Sequence, residues 1–419
     1  MTSTARSDRR REWLVWVALG LAGLLVASAY LPPLFYPLWM LRYFARELAL
    51  FAVLLSLIAL GLLLRPLASA APGRPLRLRL AAALLLGLGS LPVATTLPLF
   101  ARQGQWFSLW QYFRFSAPIA RAGQVVEEHD VALASDRPQL LVDVYRPATA
   151  PAAAEAGRAA IVVIHGGSFQ RGDKGDVPEL SRVLAAAGYA VFDLRYRLAP
   201  QHPFPAALQD ILCIIGRLAE AKARERYALD GRRIALLGRS AGGTLALSAA
   251  YAAALQAAPA TAGVPVPALR AGCAVVDVVP AAVIAIYPWT DLAQVYAAPP
   301  QPDPLDSRQV MEAYLGGPAG QLPGPYRHGS PLSYAAARVA LPPTLLVHGQ
   351  ADTLVLASES ARLAQALAAA GHAVTHLAIP FAEHGFDHRA GGAAEQLARA
   401  ASLRFLSAAL AATRTGAGN

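Results

Sequence analysis

Gly238-Arg239-Ser240-Ala241-Gly242 is a G-x-S-x-G pentapeptide. It follows the apolar run Ile234–Leu237 and opens an Ala-rich stretch with helical character. A serine on a sharp strand-to-helix turn has its hydroxyl lifted above the sheet edge, and small flanking residues permit that turn. Such a serine acts as a nucleophile only with a base to take its proton and donors to receive the developing oxyanion. Upstream, Ile161–Ile164 runs straight into His165-Gly166-Gly167-Ser168-Phe169. Paired glycines after a buried strand let the backbone turn its N–H groups toward an oxyanion. His165 sits beside this loop and is assigned to bracing it rather than to catalysis.

Nine histidines are available as the base, and chain order separates them. Serine, then acid, then histidine is the order of the α/β-hydrolase arrangement. Downstream of Ser240, Leu345–Val347 leads through His348-Gly349-Gln350-Ala351 to Asp352, and Ile379 leads through Pro380-Phe381-Ala382-Glu383 to His384. Each lies just past a strand, so both should reach the sheet edge that carries Ser240. Asp352 and His384 are the expected acid and base. His348, His376 and His388 compete for the base; Glu383, Asp387 and Asp291 compete for the acid. His348 and His376 fall within or beside strands and are expected to be packed core histidines. Asp387 and His388 are expected in solvent at a helix start.

These residues need a scaffold that brings them to one edge. From Gly123 onward, apolar β-rich segments alternate with Ala/Leu-rich helical ones, the pattern of an α/β fold with a largely parallel sheet covered by helices. Strands are expected at 125–132, 140–145, 160–165, 190–196, 233–237, 283–287, 344–348 and 374–379. Helices are expected near 178–187, 205–219, 241–256, 356–370 and 392–411, with Gly188 and Gly371 as C-terminal caps of two of them. The Pro/Gly-rich stretch 292–341 breaks the alternation and reads as an insertion over the sheet, a candidate wall or lid for an acyl pocket. The Ala/Pro-rich segments 148–158 and 257–272 read as surface loops.

The assembled set resembles the hormone-sensitive-lipase-like branch of the α/β-hydrolase family over about residues 123–412. Asp193-Leu194-Arg195-Tyr196-Arg197-Leu198-Ala199-Pro200 and Pro203-Phe204-Pro205-Ala206-Ala207 look like that branch's segment after the fourth strand. Tyr287-Pro288-Trp289-Thr290-Asp291-Leu292 is similar to its segment after the sixth. The resemblance implies an eight-stranded, mostly parallel sheet and a carboxylesterase or lipase-like serine hydrolase with no metal or organic cofactor. In that chemistry His384 takes the Ser240 proton, Asp352 holds the imidazole, and the N–H groups of Gly166, Gly167 and Ala241 receive the oxyanion. Ser168 stands where the family loop usually has a third glycine, and Gln201 where it often has Glu; neither removes a required group. An acyltransferase, an arylformamidase-like amide hydrolase and a non-enzymatic membrane sensor on the same scaffold are the alternatives.

Charge divides the chain unevenly. Of the formal +10, residues 1–117 hold +9, from 12 Arg against Asp8, Glu12 and Glu47, which leaves 118–419 nearly neutral at +1. Such an excess would suit a nucleic-acid partner, but its confinement to a strongly apolar end argues against one. No charge interrupts 13–41, 48–64 or 80–101, and about 20 apolar residues cross a bilayer as a helix. Three spans are therefore expected, at about 13–31, 48–64 and 80–101, in a membrane region 1–117 followed by a catalytic domain 118–419. Pro32 and Pro33 should end the first helix, leaving Leu34–Leu41 as an interfacial belt. Arg6, Arg9, Arg10 and Arg11 before the first span, and Arg65, Arg74, Arg77 and Arg79 before the third, place those ends in the cytoplasm. The catalytic domain then lies on the extracytoplasmic, or periplasmic, side of the cell (inner) membrane. Ala27-Ser28-Ala29 also fits a signal-peptide cleavage site, but the apolar run continues beyond it and favours an uncleaved anchor. The partners to expect are the membrane and a small or lipidic ester. Cys213 and Cys273 are permitted a disulfide outside the cytoplasm; two buried free thiols are the simpler expectation.

Overall fold

The charge-free runs near the N-terminus fold as helices. The first, α1 (Ser3–Tyr30), stops just short of Pro32 and Pro33, whose rings and missing N–H groups prevent its continuing. The helices α2 (Tyr36–Glu47) and α3 (Ala49–Leu62) follow with a 61° bend between them, then α4 (Arg74–Ala94), α5 (Leu97–Arg102) and α6 (Leu109–Phe113). Ser7–Tyr30 and Pro75–Arg102 are each long and apolar enough to cross a membrane. With 14 residues, α3 is about 21 Å long and too short for a hydrocarbon core of about 30 Å. Taken with α2 across the bend, it makes up a third candidate crossing beside the two long helices. Small side chains let these helices approach closely, as where Ala22 meets Ala52 and where Ala59 and Ala82 pack with Val15.

The computed structural model describes residues 3–64, 74–114, 119–121, 123–134, 137, 139–149, 157–258, 263–264, 269 and 278–415. Arg65, the expected domain boundary at 117–118 and much of the two Ala/Pro-rich loops lie outside them. The sheet has eight strands: β1 (Val125–Ala132), β2 (Leu141–Pro147), β3 (Arg158–Ile164), β4 (Ala190–Leu194), β5 (Leu229–Arg239), β6 (Ala282–Ile286), β7 (Thr344–Gly349) and β8 (Val374–Ile379). Their order is β1-β2-β4-β3-β5-β6-β7-β8, with β2 antiparallel to both its neighbours and the rest parallel. The chain leaves β3 for β4 on one side and returns for β5 on the other. Loops at the strand ends separate at such a reversal and open a crevice. The segments after β3 and β5, which carry Gly166 and Ser240, flank it.

Both faces of this sheet are covered, which is why the central strands are continuous apolar runs rather than alternating ones. One face is packed by α8 (Ala206–Ala219), α10 (Ala241–Ala257) and α14 (Ser358–Ala369), through residues such as Leu208, Leu245 and Leu363. The other is packed by α7 (Pro178–Ala186) and α15 (Ala393–Thr415), through Leu184 and Leu397. One further helix, α9 (Ala221–Tyr227), escapes sequence reading because its Lys and Arg residues interrupt any apolar stripe. The insertion 292–341 is not irregular. It folds as α11 (Leu292–Ala297), α12 (Ser307–Leu315), α13 (Pro323–Gly329) and a 3₁₀ turn at Pro331–Tyr334. It packs against α10: Thr244 Oγ1 donates to the Trp289 carbonyl beside it (2.8 Å) and Ser248 Oγ to the Gly329 carbonyl (3.1 Å).

Cys213 is buried on α8 and disulfide-bonded. This overturns the expectation of two free thiols; Cys273, the other cysteine of the sequence, lies outside the described residues. Thiol titration of the denatured, unreduced protein should therefore find no reactive group. Reduction should release both cysteines and lower stability by about 2–4 kcal/mol. Free thiols before reduction would contradict the assignment.

Candidate active site

Ser240 sits between the last residue of β5 and the first of α10 with φ 53° and ψ −125°, a backbone conformation that costs an L-residue about 1–3 kcal/mol. Its N–H donates to the Ile286 carbonyl on β6 (2.9 Å), which pins the turn to the neighbouring strand. Both glycines of the pentapeptide are required by close approach. A Cβ on Gly238 would collide with the Gly242 carbonyl, and one on Gly242 with the carbonyls of Ile164 and His165.

Arg239 is buried, and its guanidinium pairs with Asp387 (3.3 Å) and Asp176. The Tyr287 hydroxyl also closes on Asp387. Burial by itself would raise the Asp387 carboxyl, but Arg239 outweighs it and holds the group below its ordinary value. Asp387 is thus a buried anchor for the turn, not a solvated residue at a helix start. Its neighbour His388 remains half-exposed, as the sequence suggests.

The loops after β7 and β8 deliver Asp352 and His384 to Ser240. His384 Nε2 lies 2.9 Å from Ser240 Oγ, and its Nδ1 lies 2.7 Å from Asp352 Oδ2. The other carboxylate oxygen of Asp352 accepts the N–H groups of Leu354 (3.0 Å) and Val355 (2.9 Å). Burial alone would raise this carboxyl, but His384 and His348 overcome it and hold the group at about 2. Its stabilising contribution is complete above the ordinary value near 3.8 and is lost only as the pH falls toward 2. The Tyr287 ring, tilted against the imidazole at 4.4 Å, backs His384 from the third side.

The competing residues are occupied elsewhere. Buried as expected, His348 bonds Ser360 Oγ (2.7 Å) and the Val355 carbonyl (3.0 Å), and it reaches Asp352 Oδ2 at 3.4 Å. His376 is exposed on the edge strand β8, which corrects its assignment to the core. Asp291 caps α11 by accepting the Gln294 N–H (3.1 Å). His165 is buried, stacked on Tyr196 at 4.2 Å, and bonded through Nδ1 to the Gly166 carbonyl (2.8 Å). It braces the loop after β3. Gly166 lies directly against Ser240, since a Cβ there would sit 3.2 Å from the serine Cβ. Ser168 and Phe169 take φ 54° and 63°, and Phe169 is held by stacking on Tyr314 of α12 at 3.8 Å. The insertion therefore props this loop.

A cavity of about 660 Å³ opens over the site, lined by Gly166, Gly167, Ser168, Ser240 and His384. Its opposite wall is α2, which contributes Tyr36, Trp39, Met40, Tyr43 and Phe44. Of the stretch 292–341, expected as a wall or lid, only Leu305 lines this cavity; the larger share of that wall comes from α2. The same helix touches the loop that carries His384. Glu383, one residue before His384, accepts the Thr353 N–H (2.7 Å) and pairs with Arg42 (3.2 Å) and Arg46 (3.3 Å) of α2. Arg46 also donates to the carbonyls of Ala351 and Phe381 at 3.4 Å. No local signal in the sequence announces these contacts, because the partners lie more than 300 residues apart.

Burial and the adjacent Asp352 raise Glu383 above its ordinary value of 4.5, against the pull of Arg42 and Arg46. A carboxyl that holds its proton more tightly folded than unfolded subtracts stability as the pH rises past its unfolded value. Removing both arginines deepens that subtraction. The Arg42→Gln/Arg46→Gln double variant should lose about 3–5 kcal/mol at pH 8 and clearly less at pH 5, read by chemical denaturation in detergent. Equal losses at the two pH values would contradict this.

With the geometry in view, comparisons with known proteins agree on the scaffold. Residues 142–367 match the family model described as BD-FAE. The chain is 34% identical to an acetyl-hydrolase of Streptomyces hygroscopicus over 225 residues, 51% of this chain and 64% of that protein. It is 36% identical to the hormone-sensitive lipase of Mus musculus over 105 residues, 25% of this chain and 14% of that one. It thus spans less than two thirds of either relative's length. Among solved structures, esterase B of Lactobacillus rhamnosis superposes with a TM-score of 0.58 at 22% identity, covering 78% of this chain and 96% of that one, a likeness of fold. Since the family match takes in more than half of the chain, this protein belongs to the BD-FAE family, and it is an α/β-hydrolase of the hormone-sensitive-lipase-like branch.

Proposed function

We propose that this protein is a membrane-anchored serine hydrolase that cleaves carboxylic esters, with Ser240 as nucleophile, His384 as general base and acid, and Asp352 as the residue that orients it. The observation that carries the reading is the single imidazole bonded at once to Ser240 Oγ (2.9 Å) and Asp352 (2.7 Å). The esterase and lipase names of its relatives support the same chemistry. The Ser240 hydroxyl proton passes to His384 Nε2 while Oγ bonds to the ester carbonyl carbon. The carbonyl oxygen becomes the oxyanion and takes hydrogen bonds from the N–H groups of Gly166, Gly167 and Ala241. Among the described residues, the two glycine N–H groups donate to no protein acceptor, which suits that role. As the tetrahedral adduct collapses, the carbon–oxygen bond to the alcohol breaks and His384 returns its proton to the leaving oxygen. A water molecule then gives a proton to His384, attacks the acyl carbon and releases the acid, and Ser240 recovers its proton.

Residues 1–117 form the anchor in this reading and 118–419 the catalytic domain. Two helices sufficient to cross a membrane support the anchoring, and the bent pair α2–α3, taken as the third crossing, leaves the catalytic domain on the side opposite the N-terminus. The arginines at the start of α1, with Arg77 and Arg79 at the start of α4, support a cytoplasmic N-terminus. The disulfide of Cys213 supports an oxidising, extracytoplasmic compartment for the catalytic domain.

Membranes from cells expressing the full chain, washed with alkaline carbonate, should hydrolyse p-nitrophenyl acetate. Ser240→Ala should abolish that activity. Asp352→Asn should reduce kcat by about 10⁴ while leaving the fold intact. Activity released by the wash would contradict the anchoring, and activity surviving in Ser240→Ala would contradict the nucleophile.

A further inference from the structure

We infer that the substrate is an amphipathic ester drawn from the bilayer, its long apolar chain lying along α2 while its polar part faces the hydrolase domain. This deepens the reading of the site as a membrane-anchored esterase and rests on it. The cavity over Ser240 has two unlike walls. Trp39, Met40 and Tyr43 form the α2 side, and Arg171, Asp176 and His388 stand among the residues of the other. Trp39 and Tyr43 are buried against Leu354 in one apolar cluster, with Leu305 packed beside them. This wall is therefore built, and α2 is fixed to the catalytic loops by Arg42 and Arg46.

The mouth is apolar as well. Tyr36 and Phe44 line the cavity and are about half exposed, and Leu34, Phe35 and Leu41 beside them are exposed too. Large apolar groups open to water at a cavity rim are costly in a soluble setting and expected at the edge of a bilayer. A second cluster marks the same level. Trp106 and Trp110 are 93% and 73% exposed, and Tyr112, two residues on, donates its hydroxyl to the Glu47 carbonyl at the end of α2 (2.6 Å). Exposed tryptophans gather at headgroup depth. The α2 rim and the α6 aromatics thus define one interfacial plane, and the entrance to Ser240 opens onto it. At about 660 Å³ the cavity takes a chain of many carbons rather than an acetyl group alone.

The test uses the full chain reconstituted in phosphatidylcholine vesicles that also carry p-nitrophenyl esters from acetate to laurate. The ratio of kcat/KM for laurate to that for acetate should be well above one in the parent protein. Trp39→Ala and Tyr43→Ala should each lower that ratio by about tenfold or more, since each methylene that loses its apolar contact forfeits about fourfold in binding. Met40→Trp, which narrows the cavity without emptying it, should shift the preference toward shorter esters and guards against a variant that merely unfolds. A flat profile in the parent, or a ratio unmoved by all three substitutions, would overturn the inference. Failure of the underlying reading looks different: acetate would then go unhydrolysed, or be hydrolysed equally by Ser240→Ala.

Discussion

Ser240 holds a left-handed backbone conformation that almost any side chain would refuse, and everything else at the site is arranged around keeping it there. Gly238 and Gly242 admit the neighbouring carbonyls, and the bond from Ser240 N–H to Ile286 ties the turn to β6. Arg239, lodged between Asp387 and Asp176, anchors the turn from below. A guanidinium in that position is stable only while both acids face it, because a buried charge left unpaired costs several kcal/mol. Asp387 in turn lies three residues from His384. The network that fixes Ser240 therefore also fixes the loop bearing His384.

The second dependence runs between the two halves of the chain. Arg42 and Arg46, on a helix adjoining the long apolar helices, pair with Glu383 beside His384. Arg389, a few residues further along the loop, reaches back to Glu47 (3.6 Å) and to the ring of Tyr112 (4.2 Å). The N-terminal helices thus take part in building the site. They supply charge, an apolar wall and part of the packing on which the catalytic loops rest. A hydrolase domain cut free near residue 118 would uncover Leu354, the partner of Trp39, and take from Glu383 both of the arginines paired with it.

Much of this was legible in the sequence, for physical reasons that differ by element. Central strands such as β3 and β7 are built on apolar runs that give way to His-Gly, so their positions fall within two or three residues of expectation. Ser240, Asp352 and His384 could be picked out because each follows such a strand. What was not legible depends on contacts between distant segments. The residues 34–41 read as an interfacial belt and do carry exposed aromatics, but nothing local reveals that the opposite face of α2 looks onto Ser240. The insertion's Pro and Gly content hid three short helices that bury Met311, Tyr314 and Tyr326 under α10 and the loop after β3. Asp387 looked solvated because its partner Arg239 lies 148 residues earlier. His376 looked buried because strand position alone does not reveal that β8 is an edge.

The account stands on Ser240 being the residue that His384 activates. The most direct test is to treat the membrane-reconstituted protein with an alkyl fluorophosphonate and locate the adduct by peptide mass spectrometry. The account predicts one stoichiometric modification, on Ser240, that disappears when His384 is replaced by Ala. An adduct on another residue, or labelling of Ser240 that persists undiminished without His384, would contradict it.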